Sequence, residues 1–217
     1  MKNNNNDSEK KSKSVKVSLV VSRSRYRLLR LVMVAVLSAL AVALVYMIHL
    51  PIIPSLPFLE YDPADIPIFI VTILFGWQWG MLMTVVVSIV QGLTVSAQSG
   101  VIGIIMHIFA TGSFVLVSGI VDRMLCGAYR RGSVGFERRT LPLVISFVFG
   151  LVAMLAAMMA WNYIFTPIFL GTDREAIIPA LPLILLFNFI KGGLNASVAI
   201  AVFASGKLAR YVKYHNP

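Results

Sequence analysis

The chain has 217 residues, 58% of them apolar and only 13% Asp, Glu, Lys or Arg, with a net charge of +10. Soluble domains carry about 25% charged residues. A mean hydropathy of +0.84 therefore excludes both a water-soluble enzyme, whose surface needs charge, and a disordered chain, which is poor in apolar side chains.

At roughly 20 residues per membrane-crossing helix, the apolar content leaves room for about six spans. The composition predicts an all-α integral membrane protein. Residues 1–27 mix an Asn run with Lys and Ser and read as a disordered, basic tail. The apolar stretch that follows is longer than a signal-peptide core and reads as a retained first helix, about 28–50. A proline-rich loop, LPIIPSLPFLEYDPADIP, leads into a short second segment, about 64–76. Further segments fall at about 77–96, 101–125, 141–164 and 176–210. Gly76, Ser99-Gly100, Gly132 to Gly135 and Gly171-Thr172-Asp173 mark the breaks. Residues 28–213 read as one six-helix membrane domain.

The basic residues set the orientation. Seventeen of the 19 lie in the N-terminal tail, the fourth loop and the C-terminal end. With six spans these regions share one side, so the positive-inside rule puts both termini in the cytoplasm. In a soluble protein +10 would point to nucleic acid; here it reports topology, and no nucleic-acid partner is expected. One cysteine, Cys126, forms no internal disulfide, and the three histidines lack metal-site spacing.

Polar groups inside apolar segments need a reason, since an ionisable group at mid-bilayer costs roughly 2.5–3.5 kcal/mol. Lys191 stands out, with Asn188 and Asn195 on the same helical face. Gly192 and Gly193 leave room beside this stripe. It reads as a binding surface or as a polar helix–helix contact. Asn162 sits in Trp161-Asn162-Tyr163, where the aromatic pair also fits an interfacial belt. Its amide suits a planar polar heterocycle. Together these groups predict a pocket open to the outside, with the stiff first loop as its lid. Phe58 and Tyr61 would stack on a ligand ring or anchor in the headgroups. Asp65 is placed either to cap the second helix, with Pro67 in its first turn, or to contact the ligand. Ala35, Ala39 and Ala43 share one face of the first helix and suit close packing, internal or with a partner.

Four of these features form a pattern. FLEYDPADIP at 58–67 is followed by Phe75-Gly76; Asn162-Tyr163 is followed by Pro167; FNFIKGG occupies 187–193; and three alanines recur every fourth residue in the first helix. In these the chain, over roughly 28–212, resembles the substrate-binding S components of energy-coupling factor (ECF) vitamin transporters, in particular the riboflavin type. The resemblance implies a multi-pass subunit of the bacterial cell membrane that captures riboflavin from outside, the vitamin being cargo rather than cofactor. It implies that Asn162, Asn188 and Lys191 contact the isoalloxazine ring and that the first loop closes over the ligand. It implies that the alanine face meets a transmembrane T component coupled to two ABC-type ATPases. The chain departs from the riboflavin pattern in SIVQGLT (88–94) and GVIGIIMHIFATG (100–112), where Gln91, His107 and Thr111 stand at comparable positions.

Other classes fit less well. GxxxxGK[ST] is missing, so ATP hydrolysis by this chain is not expected. An intramembrane enzyme would draw on Ser113, Ser118 and His107, but the sequence shows no acid within the spans to orient the histidine. A proton-coupled transporter would need acidic relay residues in the spans, and none is evident. An S component for another vitamin remains the nearest alternative.

Overall fold

The computed structural model describes residues 27–48, 50–51, 59–95, 100–129 and 140–205. Phe58, most of the basic tail and the fourth-loop arginines Arg130 to Arg139 lie outside these residues. Helix α1 covers Arg27–Met47. A two-residue strand β1 (Leu50–Pro51) pairs antiparallel with β2 (Glu60–Tyr61), which ties the two ends of the first loop together. Then follow α2 (Asp65–Phe75), α3 (Trp77–Leu93), α4 (Gly100–Tyr129) and α5 (Thr140–Leu170). A short α6 (Arg174–Ile177) and a 3-10 turn (Ile178–Ala180) precede α7 (Leu181–Ala204). By length and composition, α1, α4, α5 and the α6–α7 unit are apolar enough to cross a membrane, while α2 and α3 are shorter apolar helices.

Local chemistry sets the breaks. Asp62 Oδ1 accepts a hydrogen bond from the Ala64 N–H at 3.1 Å, turning the chain into α2. Gly76, at φ +96°, lets α2 pass straight into α3 with no intervening loop. The fifth segment extends six residues past the expected end at 164, through Pro167 to Leu170. The ring forfeits one backbone bond close to the helix terminus, where the loss is small. The sixth segment divides into α6, the 3-10 turn and α7, with Pro179 and Pro182 near the starts of the later pieces.

The interior is aromatic at its middle. Phe69 of α2 stacks on Phe114 of α4 at 4.1 Å between centroids, and Phe147 of α5 meets both edge-on, at 5.7 and 5.2 Å. Helices α4 and α5 approach closely at Gly150, where a Cβ would stand 2.9 Å from the Phe114 carbonyl oxygen. Large apolar side chains such as Leu82, Phe149 and Leu186 cover the outside, as a bundle in lipid requires. In α1, Val34, Ala41 and Val45 are buried, whereas Ala35, Ala39 and Ala43 are exposed. The alanine face therefore takes no part in the core.

Candidate functional site

A cavity of about 140 Å³ lies at one end of the bundle. Its wall comes from the start of α2, the end of α3, the start of α4, the later part of α5 and the first half of α7, with Leu59, just before β2, and Glu60 at its edge. Lys191 projects into it from α7, and its Nζ meets Asp62 Oδ2 at 2.7 Å. Both partners are nearly sequestered from solvent. Such a pair is stable only because each charge answers the other; removing one member of a buried pair costs about 3–5 kcal/mol.

Asp62 also gathers the surrounding groups. Gln91 Nε2 donates to its Oδ2 at 3.4 Å, and Asn195 Nδ2 donates to its backbone oxygen at 3.1 Å. The Tyr61 hydroxyl donates to Asn195 Oδ1 at 3.1 Å. The segment before α2 is thereby fastened to α7 at three points. Burial, reinforced by the Asp62 carboxylate, pushes the Tyr61 phenol above its ordinary value, so it stays protonated and able to donate.

A second array stands beside the first. Asp65 is fully buried, and its Oδ1 accepts from Thr111 Oγ1 at 2.7 Å and lies 3.5 Å from His107 Nε2. His107 Nδ1 is 2.7 Å from Ser88 Oγ, which also donates to the Thr84 carbonyl at 2.6 Å. One hydroxyl hydrogen serves one of these partners, so the choice Ser88 makes sets the tautomer of His107.

These contacts correct the sequence reading. Asp65 does not cap α2: no side-chain bond caps that helix, and the carboxylate points across to α4. The apolar segments do contain an acid that reaches the histidine. Asp65 lies 42 positions before His107, so no local pattern announces the pairing. Ser113 and Ser118 take no part, because each donates to a carbonyl of its own helix. Gly192 leaves no room for a ligand; Leu151 and Met154 of α5 fill the space beside it.

The other expected site residues fall in three groups. Asn188, Lys191, Gln91, His107, Thr111 and Asp65 line the cavity. The Asn188 amide donates to Ile184 O, one turn back, at 2.8 Å. Asn162 stands behind the wall: fully buried, it donates to Met158 O and accepts from Thr166 Oγ1 at 2.7 Å, and Met158 and Thr166 face the cavity. Tyr61 and Asn195 lie outside the lining and hold the loop. The sequence reading missed Asp62 as a member of the site. A buried lysine needs a carboxylate, and Asp62 sits in the loop motif already singled out; that was the available signal. Among the described residues, no group of three or more His, Cys, Asp or Glu side chains is placed to hold a metal ion.

Long apolar helices packed around a polar cavity define a multi-pass membrane protein. The sequence profile described as "ECF transporter, substrate-specific component" matches residues 29–203. The chain belongs to that family. No curated protein matches it. Among solved structures, one described as the S component of a bacterial ECF transporter superposes with a TM-score of 0.68 at 24% identity. The match covers 86% of this chain and 99% of the other, and shows that the two share a fold. The substrate-specific component is the subunit that binds the cargo of such a transporter. The Ser88–His107–Asp65 array is therefore read as part of a binding wall rather than as a catalytic triad.

Proposed function

We propose that this chain is the riboflavin-binding S component of an ECF-type importer in a bacterial plasma membrane. All six apolar helices cross the bilayer, with both termini cytoplasmic and the cavity facing outward. The observation that carries the reading is the cavity bordered by Leu59, Glu60 and Asp62, into which Lys191 and Asn188 project from one stripe of α7. Asn162 supports that wall through Thr166. In this reading the three residues fix the isoalloxazine ring, whose polar edge alternates donors and acceptors. The segment held by the Asp62–Lys191 pair opens to admit the vitamin and closes over it.

The exposed face of Ala35, Ala39 and Ala43 docks a T component, which links the chain to two ABC-type ATPases. Ala39→Trp is expected to abolish co-purification with the T component and ATPases while riboflavin still binds. Assembly that survives the tryptophan would remove this face as the docking surface.

The direct test is to purify the protein in detergent from riboflavin-replete cells and record its absorption and fluorescence. A yellow preparation with quenched flavin emission is the expected result. A colourless preparation that also fails to quench added riboflavin overturns the flavin assignment. It would favour a second reading, an S component for another vitamin, for which the Asp65–His107 pair is the supporting observation.

A further inference from the structure

Three buried polar atoms of the cavity wall have no hydrogen-bond partner among the described residues: Asp65 Oδ2, Gln91 Oε1 and His107 Nε2. The histidine differs from the other two, because its hydrogen-bonding character is not fixed by its type. A neutral imidazole has one donor and one acceptor nitrogen, and the charged ring has two donors. His107 Nε2 lies 3.5 Å from Asp65 Oδ1, and Nδ1 lies 2.7 Å from Ser88 Oγ.

Each neutral form leaves a conflict. With the proton on Nδ1, the ring donates to Ser88 and Ser88 keeps its 2.6 Å bond to the Thr84 carbonyl, but the Nε2 lone pair faces a carboxylate. With the proton on Nε2, the ring presents a donor to Asp65, but Nδ1 needs the hydroxyl hydrogen that Ser88 gives to Thr84. The doubly protonated ring meets all three contacts together. It joins α2, α3 and α4 through Asp65, Ser88 and His107.

The charge balance points the same way. The ionisable groups around His107 are Asp65 of α2, Asp62 before it, Lys191 of α7 and, at the edge, Glu60. The residues that α3 and α5 bring to the cavity are uncharged. Lys191 answers Asp62, which leaves the fully buried Asp65 carboxylate with a neighbouring imidazole as its nearest source of positive charge. While water fills the cavity, it solvates that carboxylate. An uncharged cargo displaces the water and offers no charge in return, and a lone buried charge is costly.

We infer that Ser88, His107 and Asp65 form a proton-binding latch, and that the chain takes up a proton on His107 when it closes over an uncharged cargo. The proton comes from the medium on binding and returns to it on release. The inference rests on the proposed function for its cargo, and riboflavin is the probe.

The test is a fluorescence-quenching titration of the purified full chain with riboflavin between about pH 5.5 and pH 8, the range in which imidazole changes charge. Affinity is expected to rise about tenfold from about pH 8 to about pH 6, as uptake of one proton allows. Calorimetry near pH 7 in two buffers of different ionisation enthalpy should show a net uptake of up to one proton per riboflavin. Affinity constant within twofold, or protons released rather than taken up, overturns the latch. His107→Gln is expected to flatten the profile, and a profile that survives it overturns the assignment to this residue. A chain with His49→Gln and His215→Gln keeps His107 as its only histidine, so nitrogen NMR of labelled histidine reads the ring directly even if His107→Gln does not fold. A singly protonated ring in the riboflavin-bound chain at about pH 6 overturns the latch. Quenching at no pH overturns the flavin reading; the cargo-free NMR series then judges the proton site alone, and a ring that gains no second proton down to about pH 5.5 overturns it.

Discussion

At one end of the bundle, five helices and the segment before α2 bring two carboxylates, an ammonium and an imidazole to a cavity of about 140 Å³. At the other, Thr72, Gly76, Trp77, Ser118, Asp122 and Arg123 border a larger recess of about 300 Å³. The larger space is not the better site. At the recess end, buried hydroxyls bond to their own helices: Thr72 to Ile68, Ser118 to Val115 and Ser146 to Leu143. At the cavity end some buried polar groups do the same, as Asn188 does to Ile184, but others bond between elements: Lys191 to Asp62, Thr111 to Asp65 and Tyr61 to Asn195. A hydroxyl satisfied by its own helix asks nothing of a ligand. A network strung between elements holds them together through contacts that a ligand can replace or complete.

The largest test of this contrast is Lys191→Ala. It leaves the Asp62 carboxylate buried without its cation, a loss of about 3–5 kcal/mol. Riboflavin affinity is expected to fall at least 100-fold and the melting temperature in detergent to drop, while expression persists. Adding Asp62→Asn should recover stability without recovering affinity. Unchanged binding in Lys191→Ala would remove the lysine from the site.

Next comes the tight α4–α5 crossing, below the cavity. Gly150→Leu forces a side chain against the Phe114 carbonyl oxygen, 2.9 Å from where its Cβ would lie. Overpacking of this kind costs about 1–3 kcal/mol. Folded yield and melting temperature should fall, with riboflavin affinity of the folded fraction within about threefold of wild type. A selective loss of affinity would break the separation between the cavity and the rest of the bundle.

Asn162→Ala tests the support behind the cavity wall. It removes the acceptor that holds Thr166, a net loss of about 0.5–1.5 kcal/mol. Flavin binding should weaken by roughly tenfold, measured by the same quenching titration.

The smallest effect is expected from Tyr61→Phe, which deletes one 3.1 Å bond to Asn195, again about 0.5–1.5 kcal/mol. Because the folded phenol sits above its ordinary value, the folded state holds that proton more firmly than the unfolded chain. The stabilisation is complete below the ordinary phenol value and fades as pH rises past it. The stability gap between wild type and variant should stay flat over about pH 6–9 and shrink above about pH 10. A gap that closes near neutral pH would contradict the assignment of the phenol as donor.

The same contrast explains what the sequence made legible. Hydropathy and Gly or Pro breaks located all six apolar segments, since burial in lipid or core acts on every residue of a helix. Lys191 was conspicuous because a lone cation among apolar residues is costly enough to need a reason. Asp62 was not, because a carboxylate in a loop is ordinary until its partner is known. The partnership spans 129 positions of sequence. Asp65 looked like a helix cap, since its residue type and place both suit that role; only the arrival of Thr111 and His107 from α4 redirects it. Asn162 has the chemistry expected of a ligand contact, yet a rotation of α5 decides whether it faces the cavity or braces what does. Residue type is written in the sequence, and helix rotation is not.

The stacked rings of Phe69 and Phe114, crossed by Phe147, have an electrical meaning. They lie one turn below Asp65 and Thr111, between the charged cavity and the opposite recess. An ion would have to shed its hydration shell to cross such a layer, as it would in the hydrocarbon of the bilayer. The bundle is thus an insulator as well as a receptacle. A molecule in the cavity would meet this apolar layer before it could reach the recess at the opposite end.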